Sequence, residues 1–218
     1  MLDATLKAAL AYLIGTIMGG GIVGKLRAVD LRAQGSGNIG ATNALRTQGP
    51  VFALAVLLID AGKGVFAALA VPNLAPLGAP ALGREAMGCL CGAAAALGHC
   101  YPVWSRFRGG KGVATLAGVF GALMPGAFLA MFTGFVLVVL LSGYVSLASF
   151  TAALLALLHA ACVDPHGLWS AQGAFALAMA TLVAFKHRHN FAAIRRGREH
   201  RFEKARVLGR ALDRWLRR

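Results

Sequence analysis

Four polar clusters stand out in this 218-residue chain as candidate sites for binding charge. The first reads Gly35-Ser36-Gly37-Asn38-Ile39-Gly40-Ala41-Thr42-Asn43-Ala44-Leu45-Arg46. Glycines let backbone N–H groups turn toward one point, which suits a phosphate. Ser36, Asn38, Thr42 and Asn43 add side-chain donors, and Arg46 adds charge. The interleaving of donors with glycines favours an anion site over a plain turn. The second cluster is Arg106-Phe107-Arg108-Gly109-Gly110-Lys111-Gly112, running straight into an apolar segment at Val113. A lysine beside a helix N-terminus is a natural phosphate seat. The pattern is not a Walker A loop, because the upstream glycine spacing and the Ser/Thr after the lysine are missing. A nucleotide triphosphatase is therefore disfavoured.

The third cluster is Ser142-Gly143-Tyr144-Val145-Ser146 with Ser149 one turn on, and the fourth is Lys186-His187-Arg188-His189-Asn190. A single serine in an apolar helix ordinarily bonds the preceding turn, so Ser146 and Ser149 count chiefly as members of the cluster. Asp60 and Lys63 lie inside an apolar segment at i and i+3, close enough to pair on one helix face. They read as a self-neutralising pair that orients its helix or holds a neighbouring loop. His99 ends an apolar run near the Arg108–Lys111 loop and is placed either to assist chemistry or to bond a loop carbonyl. His159 reads as a core histidine. Cys89, Cys91, Cys100 and Cys162 all lie in apolar stretches and read as small buried hydrophobes, with neither metal spacing nor a disulfide framework. No carboxylate or histidine cluster has metal-ligand spacing, and no cofactor is expected.

The elements that must position these groups are membrane helices. Of the residues 58% are hydrophobic and 14% charged, and mean hydropathy is +0.67. A soluble domain is about half apolar and a quarter charged, so a soluble single domain and a disordered chain are both excluded. The net charge of +14 points to a membrane face or phosphate-bearing ligands, and nucleic acid is not an expected partner. Glycines number 28, which suits close helix packing in a bilayer.

Apolar stretches cover 4–24, 51–71, 85–104, 113–163 and 169–185. The first is followed by no small-x-small cleavage site and is expected to stay as a membrane span. The fourth carries no Lys, Arg, Asp or Glu. At ~1.5 Å per residue it far exceeds a ~30 Å hydrocarbon core. Met124-Pro125-Gly126 and Ser142-Gly143-Tyr144 divide it, which predicts an all-α polytopic protein with seven transmembrane helices. In that arrangement one face collects Lys25, Arg27, Arg32, Arg46, Arg106, Arg108, Lys111 and the twelve lysines and arginines from Lys186 onward. The positive-inside rule then predicts the N-terminus outside and the C-terminus in the cytoplasm. All four polar clusters are expected on that cytoplasmic face. Residues 201–218 carry Phe202, Ala205, Leu208, Leu212 and Trp215 at helical intervals among arginines, which predicts a helix lying on the anionic leaflet.

The chain resembles the bacterial membrane acyl-phosphate:glycerol-3-phosphate acyltransferases, the PlsY family, from about Ala11 to Glu199. The resemblance is carried by Ser36-Gly37-Asn38-Ile39-Gly40-Ala41-Thr42-Asn43 with Arg46, Asp60-x-x-Lys63-Gly64, Gly98-His99 with Pro102, and Gly109-Gly110-Lys111-Gly112-Val113-Ala114-Thr115. Tyr144-Val145-Ser146 and His187-Arg188-x-Asn190 with Gly197 and Glu199 complete it. Two motifs depart from the family: Gly15-Thr16-Ile17-Met18 stands for Gly-Ser-Ile-Pro, and Asn190-Phe191-Ala192-Ala193 for Asn-Ile-x-Arg. Neighbouring Arg195 or Arg196 would replace the arginine absent at Ala193.

The resemblance implies an enzyme of the bacterial cytoplasmic (inner) membrane with a membrane domain over 1–199, expected to be a monomer; the basic surface extension over 200–218 lies outside the family pattern. It implies acyl transfer from acyl phosphate to the 1-hydroxyl of glycerol 3-phosphate, giving lysophosphatidic acid and phosphate. Ser36, Arg46, Lys111, His187 and Asn190 are the implied catalytic residues. Acyl phosphate is assigned to Ser36, Gly37, Asn38, Gly40, Thr42, Asn43, Gly109, Gly110 and Gly112. Glycerol 3-phosphate is assigned to Lys111, Ser146, Ser149, His187 and Asn190, with Asp60, Lys63, His99 and Arg108 accessory. Acyl phosphate already has a good leaving group, and no Ser-His-Asp or Cys-His set is apparent, so direct attack without an acyl-enzyme is expected. The alternative reading is a transporter or channel for phosphorylated anions, whose mark is a polar path across the bilayer and an inverted repeat. Lys111→Ala is expected nearly to abolish turnover while the protein still folds, and Arg217→Ala to do little.

Overall fold

The structure, a computed structural model, describes residues 1–76 and 82–216. All regular structure among the described residues is helical. The chain divides into two compact units, Met1–Pro125 and Gly126–Arg218. Arg217 lies outside the described residues, as does the side chain of Trp215.

The first unit contains α1 (Leu2–Gly15), α2 (Gly19–Leu26), α3 (Ala41–Gln48), α4 (Pro50–Leu69), α5 (Arg84–Cys100) and α6 (Val113–Leu123). Proline opens α4 at its first turn, where its missing N–H costs nothing. α4 packs along α6, and α1 along α5. Small residues make both contacts close. A Cβ on Gly64 would overlap the Thr115 carbonyl, and one on Gly118 the Ala61 carbonyl. Gly15 meets the backbone of Ala95 and Gly98 that of Tyr12 in the same reciprocal way. Backbones this near gain dispersion contact where lipid supplies no hydrophobic drive between helices. The core follows suit, with Ala4, Ala11, Ala67, Val71, Met87, Cys91 and Ala95 in one buried cluster.

The second unit contains α7 (Pro125–Ser142), α8 (Val145–Val163), α9 (Ala171–Arg195) and α10 (Val207–Leu216), with α8 packed on α9. Ser170 caps α9 by accepting the Gly173 N–H at 2.9 Å. Pro125 and the Gly143 turn divide the long apolar stretch where expected.

Among the described residues, five helical segments are long and apolar enough to cross a membrane: Leu2–Leu26, Pro50–Asn73, Arg84–Ser105, Pro125–Ser142 and Val145–Val163. Leu54, Leu58, Phe66, Leu129 and Phe132 on these segments are each more than half exposed, as lipid-facing residues are. α6 has 11 residues and is too short to cross a ~30 Å core as a straight helix.

Four expectations need correction. The first span is not one helix, because residues 16–18 break it between α1 and α2. The Lys186–Asn190 cluster does not follow the last helix; it lies within α9, so His187 and Asn190 share a helix face. The tail is helical only from Val207, because residues 201–206 are held on the α7–α8 turn: Arg201 Nε donates to the Ser142 carbonyl at 2.7 Å and the Phe202 N–H to that of Gly143 at 2.9 Å. Cys89, Cys91 and Cys100 are buried as expected, but Cys162 near the end of α8 is exposed.

Candidate functional site

In the first unit the Ser36–Asn43 segment is built around Asn43, which is 1% exposed. Its Oδ1 accepts the Ser36 N–H at 2.9 Å. Its Nδ2 lies 2.8–3.0 Å from the carbonyls of Asn38, Leu31 and Gln34. The donors expected of Asn43 toward a ligand are therefore spent inside the loop. Gly35 has φ +56, and a Cβ there would overlap Asn43 Oδ1, so only glycine admits this turn. Ser36 and Gly37 are exposed, while Asn38, Gly40, Thr42 and Arg46 are half-buried. The segment then enters α3, which places Thr42, Asn43 and Arg46 on a helix that the polar composition had concealed. Gly40 caps that helix and contributes no side-chain bond to its first N–H groups.

The Gly109–Gly112 loop has the same plan. Gly112, at φ +82, opens α6 with no side-chain cap. Both loops thus end on a helix N-terminus whose first N–H groups carry the positive end of the dipole. Lys111 is half-buried beside it. Thr115 in the first turn of α6 is fully buried, and its hydroxyl has no hydrogen-bond partner; it carries part of the resemblance but is not among the site residues expected from the sequence. Arg32 joins the two loops: its guanidinium donates to Ser105 Oγ and to the Arg108 carbonyl, both at 3.2 Å. Arg108 itself is exposed. Arg106 and Phe107 both take positive φ, 50° and 59°, a local strain that non-glycine residues ordinarily avoid.

Beneath the second loop lie Asp60, Lys63 and His99, all buried. Lys63 Nζ donates to Asp60 Oδ1 at 2.9 Å and to the Ile17 carbonyl at 2.5 Å, and it lies 2.8 Å from His99 Nδ1, which is itself 3.5 Å from Asp60 Oδ1. Asp60 and Lys63 do pair. His99 joins them through its side chain, and its own carbonyl accepts the Gly110 N–H at 3.1 Å.

In the second unit, Glu199 Oε1 accepts from Ser146 Oγ at 2.9 Å and from Asn190 Nδ2 at 2.8 Å. Glu199 carries part of the resemblance and is not among the site residues expected from the sequence. Its place follows from the turn after α9, where Gly197 at φ 65 reverses the chain. The two serines separate clearly. Ser149 Oγ donates to the Val145 carbonyl at 2.8 Å, the ordinary intrahelical bond, whereas Ser146 reaches Glu199. His187 is 2% exposed, and its Nδ1 lies 2.8 Å from the Val183 carbonyl. A carbonyl only accepts, so Nδ1 carries a proton, and in the neutral form of the ring Nε2 is the acceptor nitrogen. Arg195 and Arg196 are exposed at the end of α9. No group of three or more metal-ligating side chains occurs among the described residues.

Comparisons with known proteins show the family. The family model described as glycerol-3-phosphate acyltransferase matches residues 5–197. A glycerol-3-phosphate acyltransferase of Geobacter sulfurreducens is 37% identical over 203 residues, covering 93% of this chain and 100% of the relative. One from Symbiobacterium thermophilum is 41% identical over 204 residues, covering 92% and 96%. The fold is similar to the crystal structure of PlsY, an integral membrane glycerol 3-phosphate acyltransferase, in its glycerol 3-phosphate form. The TM-score is 0.81 at 37% identity, over 94% of this chain and 98% of that one. The lysophosphatidic acid form of the same enzyme gives 0.80 at 36% identity. With its apolar helices and uncapped, glycine-built loops, the chain belongs to the glycerol-3-phosphate acyltransferase family of multi-pass membrane proteins.

Proposed function

We propose that this enzyme takes its acyl group from acyl phosphate and transfers it to the 1-hydroxyl of sn-glycerol 3-phosphate, releasing lysophosphatidic acid and phosphate. The observation that carries this reading is the pair of loops in the first unit. Each combines a glycine turn, a helix N-terminus without a side-chain cap and a basic residue, which is the equipment for a phosphoryl group rather than for a thioester. In this reading Ser36, Gly37, Asn38, Gly40, Gly109, Gly110 and Gly112 line the acyl-phosphate headgroup, and Arg46 and Lys111 neutralise it. Asn43 supports the same loop from within. Ser146, His187 and Asn190 bind glycerol 3-phosphate, with Glu199 orienting Ser146 and Asn190. The relative crystallised in glycerol 3-phosphate and lysophosphatidic acid forms supports the acceptor and product.

The chemistry needs no enzyme nucleophile. The hydroxyl oxygen bonds to the acyl carbon, the acyl C–O bond to phosphate breaks, and the hydroxyl proton passes to a phosphate oxygen or to His187. Fixed donors and cations stabilise the charge that develops on the departing phosphate.

We place the protein in the bacterial inner membrane with seven crossings and the N-terminus outside. The short α6 then forms the helical part of one crossing, shielded by α4 and α5, its Thr115, Leu116, Gly118, Val119 and Phe120 buried. α10, with Leu208 and Leu212 exposed among arginines, lies on the anionic leaflet.

Detergent-purified protein given palmitoyl phosphate and glycerol 3-phosphate tests the reaction. Phosphate released in step with lysophosphatidate, and no product from acyl-CoA or acylated carrier protein, is the expected result. Labelled acyl-enzyme trapped in a single turnover overturns the direct route. Uptake of glycerol 3-phosphate into liposomes without acylation overturns the enzyme reading.

A further inference from the structure

The Asp60–Lys63–His99 group sits where three otherwise unrelated pieces of backbone need support. α1 stops at Gly15 and α2 restarts at Gly19, so carbonyls and N–H groups at the break lose their intrahelical partners. Within a bilayer such groups must be satisfied by the protein. Lys63 takes the Ile17 carbonyl at 2.5 Å, and Asp60 Oδ1 accepts the Gly19 N–H at 3.0 Å. The residue before α2, Met18, gives no side-chain cap, so the carboxylate from α4 does that work and also faces the positive end of the α2 dipole.

The group continues into both anion loops. Next to Gly19, Gly20 packs so tightly on the backbone of Ile39 that a Cβ would overlap the Ile39 carbonyl. Ile39 lies between Asn38 and Gly40. On the other side, the His99 ring fills the space beneath Gly110, where a Cβ would overlap His99 Nε2. An ammonium has three protons and no acceptor. Those of Lys63 face Asp60 Oδ1, His99 Nδ1 and the Ile17 carbonyl. With Lys63 as the ammonium, Nδ1 of His99, which also lies 3.5 Å from Asp60 Oδ1, is the acceptor and the ring proton is on Nε2. A histidine in that state has no lone pair left for a substrate proton.

We propose that Asp60, Lys63 and His99 are positioning residues. They form a buried brace that sets where the Asn38–Gly40 and Gly109–Lys111 backbones stand relative to each other, and so how well the loops grip the phosphoryl group of the acyl donor. This deepens the proposed function and rests on it. The brace acts on the donor site and not as an acid or base.

The test compares His99→Leu, His99→Asn and the neutral double variant Asp60→Asn/Lys63→Gln in detergent. Asparagine puts an acceptor where Nδ1 stood, and leucine does not. His99→Leu is expected to raise KM for palmitoyl phosphate about tenfold or more while KM for glycerol 3-phosphate stays within about threefold. Amide exchange over 109–112 should quicken in the same variant. His99→Asn should recover both within about threefold of wild type, with the pH–rate profile unchanged in shape. The double variant, which removes both buried charges and keeps hydrogen-bonding groups, should fold and fall between the two. Loss of one limb of the pH–rate profile in His99→Asn would make His99 an acid–base group and overturn the proposal. Equal behaviour of the leucine and asparagine variants would overturn it too. If wild type does not use palmitoyl phosphate, the donor assignment falls instead, and exchange over 17–24 and 109–112 in the same variants still decides for or against the brace.

Discussion

Asn43 Oδ1 accepts the backbone N–H of Ser36 at 2.9 Å across seven residues. That bond, with the three carbonyls facing Nδ2, turns a run of small polar residues into a fixed loop. Rigid donors need no reorganisation when an anion arrives, which is where such a loop gains its advantage.

Asn43→Asp separates geometry from polarity here. The carboxylate still accepts the Ser36 N–H but turns a negative oxygen toward carbonyls that had received a donor. A loss of about 2–3 kcal/mol is expected from the unpaired carbonyls, read as a lower melting temperature in detergent. Activity should fall with it.

Lys111→Ala should lower kcat/KM by about a hundredfold or more, the scale for removing one group that stabilises developing charge. The melting temperature should stay near wild type, because Lys111 is half-buried on a loop rather than part of the core. A variant that melts early and keeps its turnover would displace Lys111 from the site.

Ser146 and Ser149 should behave differently. Ser149→Ala removes an intrahelical bond only and should leave KM for glycerol 3-phosphate within about threefold. Ser146→Ala and Glu199→Ala should each raise it, and the double variant should show a coupling of about 0.5–3 kcal/mol, as for residues sharing one hydrogen-bond network. Glu199→Gln should be milder than Glu199→Ala, since an amide oxygen still accepts from Ser146 and Asn190.

Glycine substitutions test the packing itself. A Cβ at Gly62 in α4 meets nothing within 4 Å, so Gly62→Ala should be neutral or stabilising by about 0.5–1 kcal/mol through helix propensity. Gly110→Ala drives a methyl group into the His99 ring and should cost about a hundredfold in kcat/KM by displacing the loop. Equal tolerance at both positions would show that the loop is not held as described.

Thr115→Val replaces a fully buried hydroxyl that has no hydrogen-bond partner with a methyl group of similar shape. Stability should hold or rise by about 1 kcal/mol, because an unsatisfied polar group is removed. Thermal melting of the substrate-free protein checks this, and a drop in kcat/KM alone would assign the hydroxyl to substrate.

Local chemistry made part of this protein legible in its sequence. Proline at 125 and the Gly143 turn end helices for backbone reasons that hold in any context. The apolar stretches, the glycine-rich loops and the helix start at Val113 follow in the same way. α3 was less legible, because Thr42, Asn43 and Thr47 are poor helix formers and tertiary packing of Ala44 against Leu31, Phe52 and Val56 outweighs their preference. The break after Gly15 was hidden for a related reason. Local partners meet part of the backbone there, but the Gly19 N–H and the Ile17 carbonyl are met by Asp60 and Lys63, 41 and 46 residues away along the chain. Which polar side chains remain for a ligand was likewise decided in three dimensions. Asn43 and Ser149 look like donors in the sequence and are spent internally, while Glu199 joins Ser146 to Asn190 across 53 and 9 residues. Residue type sets what a group can bond. Only the folded neighbourhood sets which of those bonds are already made, because burial forces each polar group onto whatever partner the packing brings within reach.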